Sequence, residues 1–156
     1  MLRIPKLIWR TMLSGGDFIE RIILKLAAHD DLDILACMNK NLIEDEKHDN
    51  KMNVAQLRDR MKGFIDSNYD AYLFMKDSEV VGYALVDMSR EPLYIRHFYI
   101  SREHRRCGYG RIALSELLQL LCTNRVDIEV MYWNEVGISF WKSMGFKERS
   151  IYMRLE

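Results

Sequence analysis

Cysteine is scarce in this chain: three among 156 residues, Cys37, Cys107 and Cys122, in no metal-binding or redox spacing. The odd count leaves at least one thiol unpaired, and free thiols fit a reducing cytoplasm better than a disulfide-stapled exterior. Net charge is absent as well, because 23 Lys and Arg balance 23 Asp and Glu. Nothing global therefore argues for nucleic acid or an anionic membrane surface. No apolar run approaches the roughly 20 residues that span a bilayer. Internal repeats, low-complexity tracts and a Walker-type Gly-Lys-Ser/Thr are missing too. What remains is an ordinary soluble composition, 49% apolar and 29% charged, long enough for one domain with a proper core.

The opening MLRIPKLIWRTMLSGGD is mildly basic, but Arg10 interrupts its apolar residues and no small-residue cleavage site follows. That argues against a signal peptide. Ser14-Gly15-Gly16 reads as a joint. Residues 1–17 are expected to be a leader or accessory segment, with a packing or dimer role open to them, and residues 18–156 the compact domain.

Periodicity then gives an order of elements. Phe18 to Ala27 reads as a strand. Asp30 caps a helix whose stripe is Ile34, Leu35, Met38 and Leu42. A polar connection, Glu44 to Asn50, precedes a second helix with a capping box at Asn53 and Gln56 and a stripe of Val54, Leu57, Met61, Phe64 and Ile65. Tyr69–Lys76 and Val80–Met88 read as a hairpin across Asp77-Ser78-Glu79, and Leu93–Ile100 as a third consecutive strand. A helix from Tyr109 or Gly110, a strand Val126–Trp133, a helix Glu135–Met144 closed by Gly145, and a last strand over Ile151, Met153 and Leu155 complete the chain. The class is α+β, a mixed α/β sandwich around one sheet.

Arg105-Arg106-Cys107-Gly108-Tyr109-Gly110 carries the most chemistry. Two glycines two residues apart let several N–H groups converge. A helix starting there adds its positive dipole end, and the arginines add full charge. Such a segment suits a phosphate or pyrophosphate. A dinucleotide fingerprint is a competing reading of Gly108 to Ala113, with Glu129 downstream. Against it, polar residues 101–107 separate the glycines from the preceding strand, and too few residues follow for a doubly wound sheet.

Strand, Arg-x-x-Gly-x-Gly, helix resembles the acetyl-coenzyme A signature of the GNAT superfamily of N-acetyltransferases. Asn134 to Phe146, an Asn followed by an apolar helix and a closing Gly-Phe, is similar to that family's second signature, and the element order agrees from about Phe18 to Glu156. The resemblance implies a mostly antiparallel sheet whose fourth and fifth strands splay apart. It also implies a soluble cytoplasmic acyltransferase that uses acetyl-coenzyme A and no metal. Backbone amides of roughly Arg106, Cys107, Gly108, Tyr109 and Gly110 would hold the pyrophosphate, with Arg105 and Arg111 also among the cofactor-binding residues. Backbone groups of Phe98, Tyr99 and Ile100 would pair with the pantetheine arm, with Asn134 and Trp141 beside it. The Tyr99 or Ile100 amide would face the acetyl oxygen.

Acetyl transfer to an amine also needs a base, because an alkylammonium with a pKa of about 10.4 has no lone pair to attack with. Tyr94, Arg96 and His97 are the polar candidates on the fourth strand, and His97 has the most suitable intrinsic pKa. Strand alternation sends Tyr94 and Arg96 one way and His97 the other unless a bulge intervenes. The family's usual tyrosine acid is replaced by Trp141, which leaves Tyr132 or solvent to protonate the thiolate, and Trp141 to pack. Glu44, Glu46 and His48 are expected to meet a cationic acceptor, a small-molecule or peptide amine. A metal on those residues with Asp49 matches no established spacing. A non-catalytic acyl-coenzyme A sensor stays open, and so does a homodimer.

Overall fold

The computed structural model describes residues 20–156; the expected leader, together with Phe18 and Ile19 of the first expected strand, lies outside them. Its elements are β1 (Ile23–Leu26), α1 (Leu32–Asp45), α2 (Val54–Ile65), β2 (Tyr69–Lys76), β3 (Glu79–Asp87), β4 (Leu93–Ile100), α3 (Tyr109–Leu120), β5 (Val126–Ile128) and α4 (Glu135–Ser143). They build one five-stranded sheet in the order β1-β2-β3-β4-β5, antiparallel except for the β4–β5 pair.

Local chemistry accounts for most boundaries. Asn53 Oδ1 accepts from the Gln56 amide and Gln56 Oε1 from the Asn53 amide, both at 2.9 Å, so two otherwise unpaired donors start α2. Gly145, at φ 94°, ends α4 in the left-handed region where a side chain would be strained.

Helices cover both faces. Leu32, Leu35, Met38 and Leu42 of α1 and Met61 of α2 pack on Leu73, Tyr83, Leu85 and Tyr99 of the sheet. Ala113, Leu114 and Leu117 of α3 pack on Phe74, Val81, Val86 and Ile95 from the opposite side, where Phe140 and Trp141 of α4 join them. Each wholly buried Leu in these layers contributes on the order of 2 kcal/mol.

Two irregularities position the site. In the β3–β4 ladder Leu85 faces His97 while Val86 faces Ile95, so Arg96 is an extra residue in β4. And β4 pairs with β5 at only three positions, ending at Ile95 opposite Ile128. From Arg96 to Ile100 the outer edge of β4 has no strand beside it among the described residues, and the chain after Ile128 diverges.

The C-terminal third departs from the sequence reading. The strand expected over Val126–Trp133 stops at Ile128, and no strand forms over Ile151 to Leu155. Alternating apolar residues make a strand only where a neighbouring edge supplies hydrogen bonds and a face to bury them. Ile151, Met153 and Leu155 have no such face and are 85–100% exposed.

Candidate active site

Between β4 and α3 the chain makes one 3-10 turn, Arg102–His104, and then a tight cradle. Arg106 and Gly108 both adopt positive φ, 59° and 82°, and Gly108 caps α3. The N–H groups of residues 106–110 find no acceptor among the described residues. They converge at the positive end of a twelve-residue helix. That is the chemistry an incoming diphosphate needs. Tyr109 is buried beneath the cradle with its hydroxyl against Lys76, Gly110 lies against the Phe140 ring, and Arg111 reaches the Ser143 hydroxyl at 3.3 Å. Cys107 is exposed.

The arginines beside the cradle are anchored from α1. Arg105 donates to the Ile100 carbonyl (2.8 Å) and to Asp45 (2.5 Å), and Arg102 reaches Asp45 and Glu44. Burial opposes ionisation of Asp45, but the hydrogen bonds from Arg102 and Arg105 outweigh it and hold that carboxyl below its usual range. Glu44, expected at the acceptor, is spent on this clamp.

The gap begins where β4 leaves β5. Phe98 points to the α3 side, stacked on Phe140, tilted against Phe74 and edge-on to Trp141, whereas Tyr99 is buried on the α1 side. Trp141 sits in an aromatic cluster with Phe98, Phe140 and Phe146, so packing is its observed role. Asn134 caps α4, its Oδ1 accepting from the Gly137 amide at 2.9 Å. It lines a cavity of about 590 Å3 with Asp45, Lys47, Trp133, Glu135 and Val136.

The β4 bulge gathers polar groups on the α1–α2 side. Arg96 lies over the rings of Phe64, Tyr69 and Tyr94, and His97 meets Phe64 edge-on. The extra residue thus puts Tyr94, Arg96 and His97 on one face, the condition simple alternation would forbid. His97 Nδ1 is 3.0 Å from the Tyr83 hydroxyl. Burial first, then the charges of Arg60, Arg96 and His48, bring the His97 pKa down to about 3. The expectation that its ordinary pKa suits it as a base is corrected on that ground: the ring is neutral and resists protonation. Tyr94 lies within the zipped part of β4, opposite Asp127, and burial raises its pKa. Tyr132 is 84% exposed and meets Trp133 edge-on.

Within the α1–α2 connection the acidic residues differ sharply. Glu44 and Asp45 hold arginines 102 and 105, and Asp49 pairs with Arg154 at 2.9 Å. Glu46 has no hydrogen-bonded or ion-pair partner for its carboxylate among the described residues. Burial first, and then the Asp45 charge, push its pKa up. Its charge bears on Tyr83, and that of His48 on His97, the two residues that meet at 3.0 Å. Sequence reading missed Arg60 and the functional side of Tyr83. Arg60 lies beside the apolar stripe of α2 and Tyr83 within an apolar strand, and only folding brings the Tyr83 hydroxyl to His97 and the Arg60 charge to bear on it.

No group of His, Cys, Asp and Glu among the described residues could hold a metal, and none of the described helices is long and apolar enough to cross a membrane. No curated protein matches the chain. Solved structures do. A possible acetyltransferase from Clostridium difficile 630 superposes with TM-score 0.71 at 19% identity, covering 86% of this chain and 96% of that one. A predicted acetyltransferase from Clostridium acetobutylicum, solved with acetyl-CoA, gives 0.67 at 13% identity over 87% and 96%. A Trypanosoma brucei acetyltransferase gives 0.58 at 17% identity over 87% and 99%. Residues 34–146 match the family described as acetyltransferase (GNAT). With the cradle, the parted strands and that match in agreement, the chain belongs to the GNAT acetyltransferase family.

Proposed function

We propose that this protein transfers the acetyl group of acetyl-coenzyme A to a primary amine, in a ternary complex and in the cytoplasm. The observation that carries the reading is the separation of β4 from β5 beside a loop of unpaired amides. The residues present fit the cosubstrate. The amides of residues 106–110 meet a diphosphate, the free edge of Phe98, Tyr99 and Ile100 offers backbone partners to an extended arm, and Asn134 lines the cavity at its end. When bound, acetyl-coenzyme A supplies an activated carbonyl whose C–S bond breaks as the amine nitrogen bonds its carbon.

The chain's own residues then handle protons and position. Glu46 accepts the ammonium proton: it is unpaired, half-buried and of raised pKa, so its conjugate acid forms more readily than that of a solvated carboxylate. His97, neutral and oriented by the Tyr83 hydroxyl, orients the amine without keeping its proton. Amides on the β4 edge donate to the carbonyl oxygen as negative charge grows on it. Tyr132 or water protonates the departing thiolate. No metal takes part in this scheme.

Trp141 in place of an acid favours one second reading, a non-catalytic acyl-coenzyme A sensor. Steady-state release of free thiol from acetyl-coenzyme A across a panel of amines, with mass detection of product, separates the two. Amine-dependent turnover supports transfer. Tight coenzyme A binding with no turnover on any amine would leave the sensor.

A further inference from the structure

Arg60 of α2 and Arg96 of β4 both reach the face of the Phe64 ring, at 5.2 and 5.4 Å from its centroid. Most other arginines around the site are answered by carboxylates: Arg102 and Arg105 by Asp45, Arg58 by Asp33, Arg154 by Asp49. Neither Arg60 nor Arg96 has an acidic partner among the described residues; the polar contact of Arg96 is with the Tyr69 hydroxyl at 2.9 Å. Two guanidinium groups close together without a counter-charge repel each other. Burial first, and then the Arg96 charge, lower the pKa of Arg60.

Arg96 stands where β4 leaves β5, immediately after their last pair, Ile95 with Ile128, and Arg60 shares the Phe64 ring with it. The charges of Glu46, the connection's unpaired carboxylate, and of Arg60 both act on Tyr83. Glu46 would attract an ammonium, and the two guanidiniums an anion. A polyamine or aminoglycoside would meet Glu46 favourably but would place further positive charge against Arg60 and Arg96.

We propose that Arg60, Arg96 and Glu46 together select an acceptor that carries a carboxylate or phosphate on the same molecule as its primary amine. The anion binds across the two guanidiniums, whose planar donor arrays suit either group, and the amine is thereby held toward Glu46 and the parted strands. This rests on the acetyl-transfer reading and narrows its substrate class.

The test uses the full chain with saturating acetyl-coenzyme A and matched acceptors: amino acids against their carboxamides, aminoalkyl phosphates against the parent amino alcohols, and a polyamine. The expected result is a kcat/KM at least tenfold higher for the anionic member of each pair. In Arg60→Gln and Arg96→Gln that preference should collapse toward one, with the KM for acetyl-coenzyme A unchanged. Equal turnover of anionic and neutral partners, faster turnover of the polyamine, or a preference that survives both substitutions would overturn the proposal. A second measurement does not depend on turnover: inorganic phosphate is titrated into protein already saturated with coenzyme A, and the thermal midpoint is followed. It should rise for the native chain and stay flat for both variants; no rise, or the same rise in all three, counts against the anion site. If no amine is turned over but the phosphate response is lost in the variants, acetyl transfer fails as the function and the anion site stands.

Discussion

The indole N–H of Trp133 donates to the backbone carbonyl of Glu46 at 2.8 Å, joining residues 87 positions apart. The bond ties the segment beyond β5 to the end of α1, and it fixes the backbone that carries the proposed proton acceptor. Trp133→Phe removes it and should cost about 1 kcal/mol of stability. The KM for the amine should rise several-fold while that for acetyl-coenzyme A stays put, as steady-state kinetics in each substrate would show. A change confined to acetyl-coenzyme A would mean the contact serves the other end of the site.

Glu46→Gln separates activity from stability. Loss of a positioned base should lower kcat/KM by roughly 100-fold or more and remove the acidic limb of its pH profile. That limb should lie above the ordinary glutamate range, because the raised pKa leaves the carboxylate ionised only at higher pH. The sign for folding is opposite. A carboxyl with a raised folded pKa stabilises the native state at low pH and loses that contribution as pH rises through the folded value. At neutral pH Gln should therefore leave the fold as stable as before or more so, by chemical denaturation.

His97 governs behaviour in acid. Its folded pKa of about 3 lies below the ordinary 6.5, so the unfolded chain binds the extra proton between those values. The resulting stability is present above pH 6.5 and drains away as pH falls toward 3, by at most about 1.4 kcal/mol per pH unit for this one group. His97→Gln should flatten that part of the curve. If denaturation midpoints of the native chain and the variant fall in parallel between pH 6.5 and 4, other groups are responsible. On activity, His97→Gln should act chiefly on the amine KM, whereas a collapse of kcat as deep as that of Glu46→Gln would return the proton to the imidazole.

Gly108 tests the cradle. Its φ of 82° would cost an ordinary L-residue about 1–2 kcal/mol, and an added Cβ would meet nothing within 4 Å. The Cβ itself thus meets no steric conflict inside the protein, and an effect on affinity beyond that backbone strain arises where the ligand approaches. Gly108→Val should raise the Kd for coenzyme A by tenfold or more, measured calorimetrically, with the fold intact. Unchanged affinity would remove the loop from the diphosphate.

The boundaries of α2, β2 and β4 were legible because their signals are local: a capping box at Asn53, strict alternation, turn residues at 77–79. The two glycine-linked signatures were legible as patterns for the same reason. The C-terminal strands were not. Val126 to Trp133 and Ile151 to Leu155 alternate correctly, yet alternation states only that a strand could bury one face, and the neighbouring edge decides whether it does. The bulge at Arg96 was equally hidden, since nothing in Leu93–Ile100 marks an extra residue. It comes from the register with β3.

By itself, the order of residues determined most of the elements, the family and the glycine loop proposed to bind a diphosphate, all of which depend on groups within a few positions of one another. Folding in three dimensions decided which carboxylates are occupied and which is free. Asp45 meets Arg105 and Asp49 meets Arg154 across long stretches of chain, while Glu46, their neighbour in sequence, is left facing Tyr83. Charge compensation and desolvation depend on distance in space, and spacing along the chain carries no record of either.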